Sequence, residues 1–366
     1  MKQIYGRTLL KLQEQEYPVV CYKSTGNLIA EPFTELRLSK SVKPAANFPS
    51  NKKTLLKNRT SIQKSFHWLI KPNIRYPEQV GYALDKLTLD EKGKIKQLGC
   101  KSCFYIENLI TSHVLEYEIY HVFTDLNKRY EIERSPDRIL KNLPERQRIH
   151  SQCLNNNIAL DGSGRSSQIG VQALFAYADG ATYKIRMITR SNQVAVRPQL
   201  RQFIPSGNFE IFESHVDAER LEEQFNPMAS LYRELLEEVF GDPTLRHNES
   251  NYSTHQKVWA DPTFKIIQNL LLQGKAQIRF LGTVFDLLVL RHELSFLIII
   301  DDTSELEETL RKATTFEGEN IDIEYKDLEK MLSKHGLSLN PPSAGLLKMA
   351  MEEKIFEKVM GKKNSG

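Results

Sequence analysis

A segment rich in asparagine, glycine and serine, from Leu154 to Gly170, divides the 366-residue chain. Such polar segments connect structured regions and rarely cross a hydrophobic core. Since a domain usually has roughly 150 residues, the parts on either side are each long enough to bury a core of their own. We therefore expect an N-terminal α+β domain over residues 1–160, a second domain over residues 168–355, and a flexible tail over residues 356–366.

The composition is that of a folded globular protein. Apolar residues make up 40% of the chain and charged residues 26%, which excludes a disordered or fibrous chain. The formal net charge of +4 is too small to predict attraction of the whole chain to nucleic acid. The N-terminal segment lacks the apolar run of a signal peptide, and no apolar stretch is long enough to span a bilayer. These features predict a cytoplasmic protein without a membrane contact.

The four cysteines do not predict a disulfide framework or a metal site. Cys100 and Cys103 form a CxxC pair, but no second pair and no histidine pair follows at the spacing of a zinc finger. We therefore expect two buried thiols in a reducing compartment.

Residues 36–75 contain ten basic residues and no acidic residue. One interpretation is a contact surface for phosphate or nucleic acid, helped by the aromatic residues Phe66 and Trp68. The favoured interpretation is a solvated basic face. The role of residues 1–160 stays open, as does the formation of a homodimer.

Two histidines and two glutamates lie close together over residues 113–121. Tyr117, Ile119 and Tyr120 favour a strand there, and a strand would point Glu116 away from His113 and His121. We therefore predict no metal site in this segment.

The second part of the chain begins with a predicted hairpin, whose turn is at Asp179-Gly180. Further on, residues 227–241 read PMASLYRELLEEVFG, which predicts a helix with proline near its start and glycine at its end. On a helix, Glu234, Glu237 and Glu238 lie on one face within one turn. Three carboxylates so placed are hard oxygen ligands of the kind that Mg²⁺ prefers.

This helix completes a longer pattern that resembles the Nudix box. The pattern consists of Gly207, Glu213 and the sequence Arg233-Glu234-Leu235-Leu236-Glu237-Glu238. The flanking segments are similar as well: two strands before the box, the apolar run of residues 280–301 and the predicted helix of residues 340–353. The resemblance covers about residues 168–355. It implies a Nudix-like α/β/α sandwich with a mixed sheet, within a chain of the α+β class.

Two departures from the family pattern affect the loop and the end of the helix. Nineteen residues, Ser214 to Tyr232, separate Glu213 from Arg233, whereas the family usually has seven, which implies an insertion of twelve. Phe240 stands where the family has glycine, and Gly241 follows it. Both changes lie beside the carboxylates without replacing them.

The resemblance implies a hydrolase that cleaves the pyrophosphate bond of a nucleoside diphosphate linked to another group, with Mg²⁺ or Mn²⁺ as cofactor. The alternative is a catalytically silent nucleotide-binding sensor or regulatory module, associated with nucleic acid through the basic segment. The implied catalytic residues are Arg233, Glu234, Glu237 and Glu238, the implied metal ligands are Gly207 and the three glutamates, and the expected substrate contacts are Arg190, Phe209 and Glu213. Glu293 is a further candidate acid, although the end of a turn is its favoured interpretation.

Overall fold

The computed structural model describes residues 9–25, 36–38, 79–125, 136–153, 157–192, 197–211, 218–242, 254–315, 318–333 and 339–361, with isolated positions at 4, 127 and 129. The chain has a mixed α and β structure in which helices and strands occur in both parts, as the sequence predicts.

The strands in chain order are β1 (Leu10–Leu12), β2 (Gln15–Tyr17), β3 (Val19–Lys23), β4 (Leu36–Leu38), β5 (Val80–Leu89), β6 (Ile95–Phe104), β7 (Gly170–Asp179), β8 (Thr182–Arg190), β9 (Arg201–Phe203), β10 (Ser206–Asn208), β11 (Glu210–Ile211), β12 (Ala276–Asp286), β13 (Arg291–Ile300) and β14 (Gly318–Ile323).

The helices are α1 (Tyr105–Asn108), α2 (Val114–Thr124), α3 (Pro144–Gln152), α4 (Ala218–Glu223), α5 (Pro227–Glu234), α6 (Thr254–Ala260), α7 (Pro262–Leu272), α8 (Glu307–Lys312), α9 (Tyr325–Leu332) and α10 (Pro341–Ala350). Two π-helical segments, Leu109–His113 and Leu235–Val239, follow α1 and α5, and two 3₁₀ segments are Pro136–Asn142 and Lys354–Glu357.

The largest sheet among the described residues has eight strands. Six of them follow the order β14, β8, β7, β13, β12 and β3, while β9 pairs with β8 and β10 pairs with β7. The β7–β13 pair is parallel and the other pairs are antiparallel, so the sheet is mixed. The hairpin between β7 and β8 turns at Asp179-Gly180, which confirms the predicted turn.

Both faces of this sheet are apolar, and helices cover each of them. Along β7, Val171 and Phe175 belong to one hydrophobic cluster, whereas Leu174 lies in another, because successive side chains of a strand point to opposite faces. Residues of α5 and α7 pack in the first cluster, and residues of α9 and α10 pack in the second. The sheet is therefore the middle layer between two helical layers.

The segment containing Tyr117 and Ile119 is helical, and the predicted strand is wrong. Residues 114–124 form α2, which buries Val114, Leu115 and Val122 on one side. Its Glu118 carboxylate accepts hydrogen bonds from the backbone N–H groups of residues 145 and 146, at 2.6 and 3.2 Å, at the start of α3. Strand propensity is a weak signal, and this tertiary contact overrides it.

Contacts cross the predicted boundary near residue 160. The early strand β3 pairs with β12 in the largest sheet, and β11 pairs with β5 in a four-stranded sheet of order β11, β5, β6, β4. One hydrophobic cluster also includes residues from both sides, among them Leu84 and Phe296. The division into two domains stays a prediction, but the two parts share strands and a core.

Four other expectations concern the C-terminal tail, the basic segment, the cysteines and the membrane. Phe356 and Val359 are buried in the second cluster, so the chain packs on the domain beyond residue 356, where the tail was expected. The basic segment lies outside the described residues except for residues 36–38. Cys100 and Cys103 are buried free thiols, as predicted. No helix of the described part is long and apolar enough to cross a membrane.

Candidate active site

The start of α5 shows why the segment with the glutamate motif is helical. The side chain of Asn226 accepts a hydrogen bond from the backbone N–H of Met228 at 3.0 Å, and Pro227 occupies the first helical position. Both features favour a helix N-terminus. Leu231, Leu235 and Val239, four residues apart, are fully buried on the sheet, which fixes the side of the helix that faces inward.

The helix changes its winding within the glutamate motif. It is α-helical to Glu234 and π-helical over Leu235–Val239. A π-helical turn is wider than an α-helical turn and occurs often at functional sites. Gly241 ends the segment with a φ of +74°, a conformation that glycine adopts without the strain of a Cβ atom. The displaced glycine therefore still terminates the helix, one residue later than in the family pattern.

Strand β10 brings Gly207 against the helix. In the sheet, Gly207 pairs with Val171 of β7. A Cβ atom at Gly207 would overlap the carboxyl group of Glu234. Only glycine leaves room for this carboxylate to lie on the strand. Two parts of the sequence pattern, separated by more than twenty residues, thus meet in the structure.

The three glutamates of the motif are buried, and Arg233 is buried with them. The Arg233 guanidinium forms an ion pair with Glu234 and another with Glu237, whose Oε2 lies 3.2 Å from Nη1. Glu238 accepts a hydrogen bond from the backbone N–H of Ser206 at 2.6 Å. Buried carboxylates require such partners because removing a charge from water is costly.

The donor set suits a hard divalent cation, but its present arrangement does not form a finished metal site. Carboxylates within one turn are suitable ligands for Mg²⁺. Across the described ranges, however, no group of three or more His, Cys, Asp or Glu side chains is placed to hold a metal ion. Arg233 and the Ser206 N–H instead contact these carboxylates. Coordination would therefore require some of these contacts to be exchanged.

Two further charged residues lie beside the box. Burial raises the pKa of Glu210, against the opposing effects of Arg233 and Arg291. The side chain of Gln168 donates a hydrogen bond to Glu210 at 3.1 Å, and Arg291 donates one to Asn208 at 2.9 Å. Asn208 follows Gly207 on β10, so these contacts extend the polar site from the helix to β13.

Glu293 is a buried acid on β13, and its surroundings were not evident from the sequence. It lies opposite Gly170, where a Cβ atom would overlap its Oε2 atom. Its Oε1 atom lies 2.9 Å from Nε of Arg291, while Oε2 has no hydrogen-bond partner among the described residues. Burial raises the pKa of Glu293 to about 7, and Arg291 opposes that rise. The sequence signal for this site is a charged residue within an apolar strand.

The predicted substrate contacts have separate positions. Phe209 is fully buried between Tyr82 and Phe225, with ring centroids 4.4 and 5.4 Å away. This position places the ring in the core instead of on a substrate-facing surface. Arg190 donates a hydrogen bond to Gln202 of β9 at 2.7 Å. Glu213 lies outside the described residues.

No protein-family model matches this chain, and no curated protein matches it. We therefore infer a function from the geometry of the box and from the chemistry of its residues.

Proposed function

We propose that this chain is a Nudix-type hydrolase that cleaves the pyrophosphate bond of a nucleoside diphosphate linked to another group. The observation that carries the proposal is the contact between Gly207 and the Glu234 carboxylate, with Ser206 N–H bound to Glu238. The box of the Nudix family has a glycine and a glutamate helix that surround one metal. The helical layers on both sides of a mixed sheet also agree with a Nudix-like sandwich.

In this proposal the metal ligands would be Glu234, Glu237 and Glu238, together with the backbone at Gly207. Bound Mg²⁺ or Mn²⁺ would neutralise the anionic oxygens of the pyrophosphate and lower the pKa of coordinated water. Arg233 orients Glu234 and Glu237 through its two ion pairs. Glu293 is suited to accept a proton near neutral pH, because its raised pKa is close to 7.

A second candidate function is a nucleotide-binding sensor that does not cleave its ligand. The pairing of Arg233 with two motif carboxylates favours this candidate, since these groups satisfy each other without a metal. The two functions differ in one measurable respect. The hydrolase binds and turns over a nucleotide with a divalent cation, whereas the sensor binds it and releases it unchanged.

The test is a substrate panel with Mg²⁺ that contains ADP-ribose, a dinucleoside polyphosphate, NAD, a nucleotide sugar and capped RNA. We expect cleavage of at least one compound, with loss of turnover by at least about 100-fold in Glu237→Gln and Glu238→Gln. Glu222→Gln is the matched control, since Glu222 is an exposed glutamate in the same acidic region. Full turnover in the two motif variants, or binding without cleavage of any compound, would overturn the hydrolase proposal.

A further inference from the structure

A cavity of about 370 Å³ lies in the N-terminal part, outside the candidate active site. Its walls come from β6, from the π-helical segment after α1, from α3 and from the loop around Gly164. The volume is at the lower end of the range for small-molecule sites. None of the described residues that line it belongs to the box.

The walls of the cavity are predominantly cationic. Lys101, Arg148 and Arg165 line it, and Glu107 is the single acidic residue among the described residues of its lining. The Glu107 carboxylate accepts a hydrogen bond from the backbone N–H of Phe104 at 2.9 Å. Glu145, which does not line the cavity, pairs with Nε of Arg148 at 3.0 Å. Positive charge therefore exceeds negative charge in the lining.

Backbone carbonyls accept many of the hydrogen bonds from these cations. Lys101 Nζ donates to the carbonyl of Gly162 at 3.1 Å, and Arg148 Nη1 donates to that of Gly164 at 3.1 Å. Arg165 donates to three backbone carbonyls at 2.7 to 3.1 Å. A carbonyl oxygen satisfies a donor but carries no net charge, so these contacts leave the positive potential of the wall in place.

Two donors on the cavity wall are suited to an anion. Nη2 of Arg148 is buried and has no hydrogen-bond partner among the described residues. An ammonium group has three donors, and the structure gives Lys101 one hydrogen bond, to Gly162. Burial, and to a smaller extent Arg165, lower the pKa of Lys101, while Asp85 opposes them. A bound anion would reverse this shift, since it would favour the charged lysine.

We propose that this cavity binds the phosphate group of a small molecule through Lys101 and Arg148. The lysine provides a compact positive charge and the guanidinium provides directional donors, which together fit the oxygens of a phosphate. The loop of residues 162–164 lacks the sequence pattern of a phosphate-binding loop. The structure nevertheless brings it to a lysine from β6, which sequence spacing alone does not show.

The experiment is isothermal titration calorimetry on the full chain in EDTA, with inorganic phosphate and adenosine 5′-monophosphate as separate probes. The chelator removes divalent cations, so binding at the box is suppressed. Binding of inorganic phosphate assigns recognition to the free ion, and binding of the nucleotide alone assigns it to a phosphate ester. Binding of neither probe at about 10 mM would overturn the proposal.

Two variants test whether the probe binds to the walls of the cavity. Lys101→Met removes a charge while keeping the apolar stem, and Gln152→Glu places a carboxylate beside Arg148, whose Nη1 donates to Gln152 at 3.1 Å. Each is expected to weaken binding by at least about tenfold, the effect of losing roughly 1.4 kcal/mol. The near-identical shape of glutamine and glutamate preserves the fold in the second variant.

Two further variants test whether the effect is local. Lys96→Met changes an exposed lysine on the same strand, and Glu222→Gln changes an exposed glutamate of α4. Both are expected to bind either probe within about twofold of the unmodified chain, because neither residue lines the cavity. Equal weakening by Lys96→Met, or unchanged binding in both cavity variants, would contradict the proposed site.

Discussion

Two regions of this molecule enclose charged side chains, and the partners of those side chains differ between the regions. In the box, Arg233 pairs with the carboxylates of Glu234 and Glu237. In the cavity of the N-terminal part, Lys101 and Arg165 donate to backbone carbonyls. Ion pairing satisfies both hydrogen bonds and charge, whereas a carbonyl satisfies hydrogen bonds alone. The box can therefore be stable in the present arrangement, while the cavity retains an attraction for anions.

The largest expected effect on stability comes from removing the positive charge of Arg233 in the box. Arg233→Met leaves Glu234 and Glu237 buried without their arginine partner, and we expect a loss of about 3–5 kcal/mol in the free energy of unfolding. Arg148→Met is the matched change in the cavity. It should cost less, about 1–2 kcal/mol, because that arginine is partly exposed and contacts carbonyls as well as Glu145. Urea unfolding measures both values, and equal losses would remove the distinction between the two regions.

The next effect concerns Glu293, the acid at the edge of the box. Its pKa is about 7 in the folded chain and about 4.3 in an unfolded chain. Between these values the folded state binds more protons than the unfolded state, so stability falls as the pH rises through this window. Glu293→Gln removes this dependence. We expect the variant to gain on the order of 3 kcal/mol relative to the unmodified chain between pH 4 and pH 8.

Unfolding free energies of both proteins across that range provide the measurement. His292, whose pKa burial lowers to about 3, changes the absolute stability in acid, but it is present in both proteins. The difference between the two curves therefore reports Glu293. A constant difference across the range would show that the Glu293 carboxyl is not desolvated.

A smaller effect on stability is expected from filling the space between β10 and α5. In Gly207→Ala the new methyl group would overlap the Glu234 carboxyl, and we expect a cost of about 1–3 kcal/mol. Any Mg²⁺-dependent turnover should fall as well, because the displaced carboxylate is a proposed ligand. Ser206→Ala, one residue earlier, keeps the backbone N–H bound to Glu238 and should change stability by less than about 0.5 kcal/mol. Equal effects of the two substitutions on unfolding would contradict the close contact.

The smallest effect on stability is expected from Lys101→Met. The variant loses the hydrogen bond to Gly162 but also removes a half-buried charge, so the net change should stay within about 1 kcal/mol. The informative measurement is the response to ligand, since a ligand at 100 times its dissociation constant adds about 2.7 kcal/mol. Phosphate should raise the unfolding midpoint of the variant by clearly less than it raises that of the unmodified chain, because tenfold weaker binding removes about 1.4 kcal/mol of that stabilisation. Equal increases would place the bound phosphate elsewhere.

Local patterns in the sequence predicted a hairpin and a helix in the second half of the chain. Asp179-Gly180 predicted the hairpin because its residues favour a tight turn. Proline near the start and glycine at the end predicted the helix of residues 227–241, although the π-helical winding over Leu235–Val239 was not evident. The strand predicted around Tyr117 was wrong. Glu118 accepts a hydrogen bond from the start of α3, 27 residues further along the chain, and local strand propensity does not reveal such a contact.

The sequence by itself determined which residue types are available to the proposed site: a strand glycine, an arginine and three glutamates within one helical segment. Only the tertiary structure decided that the Glu238 carboxylate accepts a hydrogen bond from the backbone N–H of Ser206, because these two residues lie 32 positions apart in the chain. It also decided that Lys101 meets the loop of Gly162 and that Glu293 is buried against Gly170. Short-range order follows local conformational preferences, whereas the neutralisation of a buried charge depends on residues that only folding brings together.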